Sequence, residues 1–207
     1  MGKERLAAFS DGVIAIIITI MVLEIQVPQG GSFAALRPLL PVLLSYVLSF
    51  VYIGIYWNNH HHLLHATEKV NGTVLWANMH LLFWLSLIPF ATRWVGTYYT
   101  APVPTAVYGL LLLLASLAYW ILQRAILKAH GQNSLLGTAL GRDIKGKVSP
   151  ALYILAIAFA FVSSWIADGL FALVALMWLV PDRRIEKAIL DTPENAAKPD
   201  TAKEAQR

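Results

Sequence analysis

Cysteine is missing from all 207 residues, which excludes disulfides, thiol catalysis and Cys-ligated metal. Charge is scarce as well: only 14% of residues are Asp, Glu, Lys or Arg, against 57% hydrophobic, and the mean hydropathy is +0.60. A soluble domain of this size needs far more polar surface, so the implied solvent is the lipid bilayer. Functional signatures are also lacking. There is no Ser-His-Asp set, glycine-rich phosphate loop or HExxH motif, so no enzyme is expected. Neither a Thr-Val-Gly-Tyr-Gly carbonyl filter nor an arginine-repeat voltage sensor occurs.

What is there is a series of long apolar runs. Expected membrane helices cover about residues 6–26, 36–62, 74–98 and 106–127. Pro38 and Pro41 fall near the start of the second, where proline is tolerated. The last stretch, Ser149 to Pro181, is too long for one ordinary helix and short for two. Two helices at about 148–162 and 165–181 are expected, with the break in Val162–Gly169 and Asp168 as a solvated turn residue. The expectation is an all-α membrane protein with a single six-helix domain over residues 1–187, followed by a polar, disordered tail over 188–207. Lys3 and Arg5 before an apolar run resemble a signal peptide. No small-x-small cleavage site closes the run, so a retained helix is expected.

Charge placement sets an orientation. Lys3, Arg5, Lys69, Arg124, Lys128, Arg142, Lys145, Lys147, Arg183, Arg184 and Lys187 fall at the N-terminus, the second and fourth connections and the C-terminus. Only Arg37 and Arg93 fall near the other side. The positive-inside rule puts both termini in the cytoplasm of a multi-pass protein of the cell membrane, which requires six spans rather than five. The same rule accounts for the net charge of +4 without nucleic acid.

The first helix is the most informative segment. Phe9-Ser10-Asp11 opens an otherwise apolar span, and an ionisable residue there is costly without a partner. Ile16, Ile20 and Leu23 share one stripe at i, i+4, i+7, extended by Val13 and bordered by Thr19. Asp11 projects about 140° away from that stripe. An apolar ladder on a membrane helix ordinarily faces lipid or core; the alternative is a hydrophobic constriction that gates by dewetting. Composition does not choose between them.

The pattern Arg5-x-x-x-Phe9-Ser10-Asp11, followed by Ala15-Ile16, Thr19 and Val22-Leu23, resembles the signature of the transmembrane protein 175 family. Further markers are Trp57-x-x-His60-His61, Asn78, Leu87-Ile88-Pro89-Phe90 and Trp178-Leu-Val-Pro181-Asp-Arg-Arg184. The resemblance implies a homotetramer of six-helix subunits in the bilayer around a central potassium pathway lined by the first helix. It carries the narrowest ring onto Ile16, further apolar layers onto Ile20 and Leu23, and a pore-near threonine onto Thr19. Ile20 stands where leucine is frequent in relatives. The implied polar network joins Arg5, Phe9, Ser10 and Asp11 to Trp57, His60 and His61.

His60-His61-His62-Leu-Leu-His65 also admits a metal site, since His61 and His65 are i, i+4, but only one such box occurs and nearby carboxylates are few. The other readings are a solvated helix end and the polar network, with pH sensitivity as a corollary. Glu24 is a candidate for drawing cations to the outer mouth, or for pairing with Arg37 or Arg93. The functional expectation is a potassium-permeable channel with no cofactor beyond the permeant ion. A proton-coupled secondary transporter using Asp11 and the second-helix histidines is the alternative, although no inverted repeat supports it.

Overall fold

The computed structural model describes residues 2–67, 69–130 and 144–179. The tail over 188–207, Arg142, Arg183, Arg184 and Lys187, and the end of the last helix at Pro181 lie outside the described residues. Among the described residues every regular element is helical. Helix α1 spans Lys3–Leu23, α2 Leu40–His65, α3 Gly72–Ser86, α4 Ile88–Thr97, α5 Pro102–His130, α6 Ile144–Ala160 and α7 Ser164–Leu179. A 3-10 helix, Phe33–Leu39, leads into α2. Four segments are long and apolar enough to cross a membrane: Lys3–Leu23, Phe33–His65, Gly72–Thr97 and Pro102–Ala129; α7 is a shorter apolar helix.

Proline shapes two departures from the simple expectation. The start of the second span is wound as 3-10 helix, with Pro38 inside it and Pro41 in the first turn of α2. The third span is two helices rather than one, broken at Leu87. Pro89 lacks the N–H that would bond the Leu85 carbonyl, so the ladder cannot run through, and α4 restarts with proline in its first turn. At its other end α3 is capped by Asn71, whose side chain accepts from the Val74 N–H at 3.0 Å.

The Ser149–Pro181 stretch divides at Phe161–Ser163, between α6 and α7. Asp168 therefore lies inside α7 and is half-buried, not in the turn; the helix has already begun at Ser164.

The bundle core is built by α5 against α3 and α6, by α6 against α7, and by α2 against α4. Two glycines permit close approaches. A Cβ on Gly96 of α4 would sit 2.8 Å from the Val42 backbone of α2, and one on Gly109 of α5 would sit 2.8 Å from the Phe171 ring of α7. A buried hydroxyl cluster ties α2, α4 and α5: the Thr92 and Ser49 hydroxyls lie 2.7 Å apart, and Ser49 pairs with the Tyr108 hydroxyl at 2.9 Å. Tyr52 of α2 donates to the Phe171 carbonyl at 2.6 Å. In this arrangement α1 is peripheral. It contacts α2, α3 and α4 through a buried stripe, Leu6, Ser10, Ile14, Ile17 and Met21, flanked by partly buried Ala7, Val13 and Ile18, and its remaining face is exposed among the described residues.

Candidate functional site

Helix α1 has one packed face and one open face. The packed stripe recurs at i, i+4, i+8, i+11 and i+15, as a helix seated on a bundle requires. The expected ladder lies elsewhere: Ile16 is 58% exposed, Ile20 41% and Leu23 80%. Thr19 is exposed beside them, and its hydroxyl donates to the Ile16 carbonyl at 2.9 Å, within its own helix. Val13, Ile16 and Ile20 form one wall of an open groove whose other wall includes Phe90 and Arg93 of α4, with Pro38, Pro41 and Val42 at its side.

Glu24 and Arg93 bridge this groove as an ion pair. Of the two arginines considered for Glu24, the one on α4 is its partner; Arg37 lies in the 3-10 helix.

Polar residues hold the packed face. Ser10 is buried and donates to the Leu6 carbonyl of its own helix at 2.9 Å. Asn78 of α3 donates its amide N–H to Ser10 Oγ at 3.0 Å, and its Oδ1 lies 2.7 Å from Nε2 of the buried His60 on α2. The Leu6 carbonyl can only accept, so the Ser10 hydrogen points to it, the Asn78 amide must donate to Ser10, and His60 must donate from Nε2. His60 Nδ1 is then a bare acceptor, and it has no partner among the described residues. One step along α1, Trp57 of α2 donates its indole N–H to Asp11 Oδ1 at 2.9 Å.

Of the expected seven-residue network, the structure thus brings together Ser10 with His60, through Asn78, and Asp11 with Trp57. It leaves three members outside. Arg5 and Phe9 lie on the exposed side of α1, four residues apart on one face, and Arg5 has no hydrogen bond or ion pair among the described residues. His61 is exposed, its ring 5.9 Å from Trp57 and 6.3 Å from His65. No group of three or more potential metal ligands gathers among the described residues. Asn78 is the member that the sequence reading named as a marker but did not place in the network. A lone amide inside an apolar span was the available signal.

With this geometry in view, residues 5–89 match the family described as endosomal/lysosomal potassium channel TMEM175. A potassium channel of Chryseobacterium sp. (strain P1-3) is 55% identical over 91% of this chain and 98% of its own length. The chain belongs to the TMEM175 family. A potassium channel of Streptomyces collinus is 31% identical over 84% of this chain and 90% of its own. The crystal structure of a lysosomal potassium-selective TMEM175 homolog from Chamaesiphon minutus superimposes with a TM-score of 0.76 at 29% identity, covering 87% of this chain and 97% of that one. The TMEM175 match takes in α1, α2, α3 and the first residues of α4, the segments that carry the Ser10–Asn78–His60 chain and the Asp11–Trp57 bond.

Proposed function

We propose that this protein is a multi-pass membrane channel that conducts potassium passively, with α1 lining the pathway. The observation that carries the pore assignment is the open face of α1. A helix anchored through buried polar bonds on one side presents Ile16, Thr19, Ile20 and Leu23 on another, exposed among the described residues. Four copies arranged about an axis would turn these faces into a closed ring, with Ile16 as the tightest apolar layer, Ile20 and Leu23 beyond it and the Thr19 hydroxyl beside the ion. Apolar rings hold back water and ions until they widen, which is a gate by dewetting.

In this reading the polar network holds the rotation of α1. Ser10 and Asp11 are anchored from two different helices, so the angle at which Ile16 meets the axis is set from below. The subunit has six spans, with Phe33–His65 as the second, Gly72–Thr97 as the third despite its break, and α6 and α7 as the last two. The end bearing Lys3, Arg124 and Lys145 faces the cytoplasm of the cell membrane. Glu24, engaged by Arg93, serves as an outer clasp between α1 and α4 rather than as a free cation attractor.

The deciding experiment is reconstitution of the purified chain in liposomes with a potassium gradient. Electrogenic potassium flux that does not saturate is expected. Absence of flux, or slow saturable flux coupled to protons, would overturn the channel and return the carrier reading. Cross-linking of the purified protein in detergent, with a four-subunit limit, checks the assembly.

A further inference from the structure

A second cavity lies away from α1, between α2, α5, α6 and α7. Its walls are largely aromatic: Tyr56, Tyr119, Tyr153, Trp120 and Trp178 face it from all four helices. Most polar groups around it are already engaged. Tyr119 donates to the Asn59 carbonyl at 3.1 Å, Asn59 to Ile55, and the Trp178 indole to Ser149 at 2.8 Å. Two are not. Tyr56 and Gln123 both line the cavity, both are only 8% exposed, and neither side chain has a hydrogen-bond partner among the described residues. A hydroxyl and an amide without protein partners beside a cavity can take hydrogen bonds from a small occupant.

The lining defines the occupant. Among the described residues no acidic or basic side chain faces the cavity, so a charged ligand would be desolvated without compensation. A cation is further disfavoured because Arg124 already lies 5.1 Å over the Trp120 ring and Lys145 6.0 Å over Trp178. The cavity is partly open and has a volume of about 50 Å³, well under the roughly 150 Å³ that holds benzene and above the requirement of a single water. The fitting molecule is neutral, has a few heavy atoms, and carries one group that both donates and accepts. Trp120 is half-exposed, which gives access from the side of the bundle.

We infer that this cavity is a binding site for short-chain aliphatic alcohols, whose hydroxyl bonds Tyr56 and Gln123 while the alkyl part lies among the aromatic rings. Occupancy bears on α2, because Tyr119 holds the Asn59 carbonyl, and the next residue is His60, which leads through Asn78 to Ser10 of α1. The site itself rests on the structure. Its effect on conduction rests on the channel reading, so binding and flux are measured separately.

The binding test uses 2-bromoethanol with the full-length protein in detergent. Saturation-transfer NMR should report saturable binding, and bromine anomalous scattering from soaked crystals should place the probe in the cavity. Tyr56→Phe and Gln123→Leu should each weaken binding about fivefold, the effect of one lost hydrogen bond. Equal affinity in both folded variants, bromine density elsewhere, or ordered water in the cavity at saturating probe would overturn the proposal. In liposomes, flux modulation should grow from ethanol to 1-butanol and cease by 1-octanol. An effect that keeps growing with chain length in wild type and variants alike assigns the modulation to the bilayer and overturns the coupling to α2. Binding without any flux response keeps the site and removes only that coupling.

Discussion

Asn78 donates its amide hydrogen to the Ser10 hydroxyl across 3.0 Å, joining the third span to the first at a point where both are buried. The same side chain accepts from His60, so one amide fixes three helices. Asn78→Leu keeps the volume approximately and removes both bonds, leaving the His60 N–H without an acceptor. Thermal unfolding in detergent should show a loss of about 1–2 kcal/mol, the upper range for hydrogen bonds between membrane helices. Asn78→Gln, which retains the amide on a longer arm, should fall between the two. Wild-type stability in Asn78→Leu would show that the chain of bonds does not hold α1.

Trp57→Phe removes only the indole donor to Asp11 and preserves an aromatic ring. The pair is partly exposed, so the expected cost is small, about 0.5–1 kcal/mol. Its larger consequence is rotational, since Asp11 then holds α1 from α2 no longer. Cross-linking between cysteines placed at Thr19 in separate subunits should become slower or less selective in this background. An unchanged cross-linking pattern would remove Asp11 from the control of helix rotation.

Ile16→Asn replaces the proposed tightest apolar layer with an amide that water can wet. Single-channel recordings should show a larger conductance and weaker discrimination of potassium from sodium under bi-ionic conditions. If both stay at wild-type values, Ile16 does not face the ions.

The Glu24–Arg93 pair is about half exposed on the arginine side and about a third exposed on the glutamate side. Its strength is correspondingly modest. A double-mutant cycle with Glu24→Gln and Arg93→Gln should return a coupling of under about 1 kcal/mol, smaller still at high salt. A coupling of several kcal/mol would mean that the pair is buried in the working assembly.

Gly96→Ala tests the contact between α2 and α4. The added Cβ would meet the Val42 backbone at 2.8 Å, where no side chain can swing aside. Destabilisation of about 1–3 kcal/mol is expected, as for other overpacked contacts. The same change at Gly12, where nothing lies within 4 Å, serves as the control and should be neutral or slightly stabilising through helix propensity.

What could be read from the sequence was whatever a single helix encodes in its own period. The separation of Ile16, Ile20 and Leu23 from Asp11 needs only 100° per residue, and the structure leaves that stripe open. Partnerships between helices were less legible. Glu24 had two arginines on its side of the membrane, and only packing selected Arg93. Asn78 stood out as a polar residue in an apolar run, yet its link to Ser10 and His60 depends on two crossings that no local pattern specifies. Pro89 was in view, but hydropathy runs evenly across it, and an apolar average does not register a missing N–H. The tyrosine-lined cavity was invisible for the same reason: its residues are scattered over four helices and unite only when these pack.

The interruption at Leu87 divides the third span into two levers. Asn78 sits on the first, fixed to the polar chain, while Arg93 sits on the second and reaches Glu24. A swing of α4 about that joint would pull the far end of α1 while its near end stays pinned. The first helix would then bend along the stretch that carries Ile16 and Ile20, rather than turn as a rod.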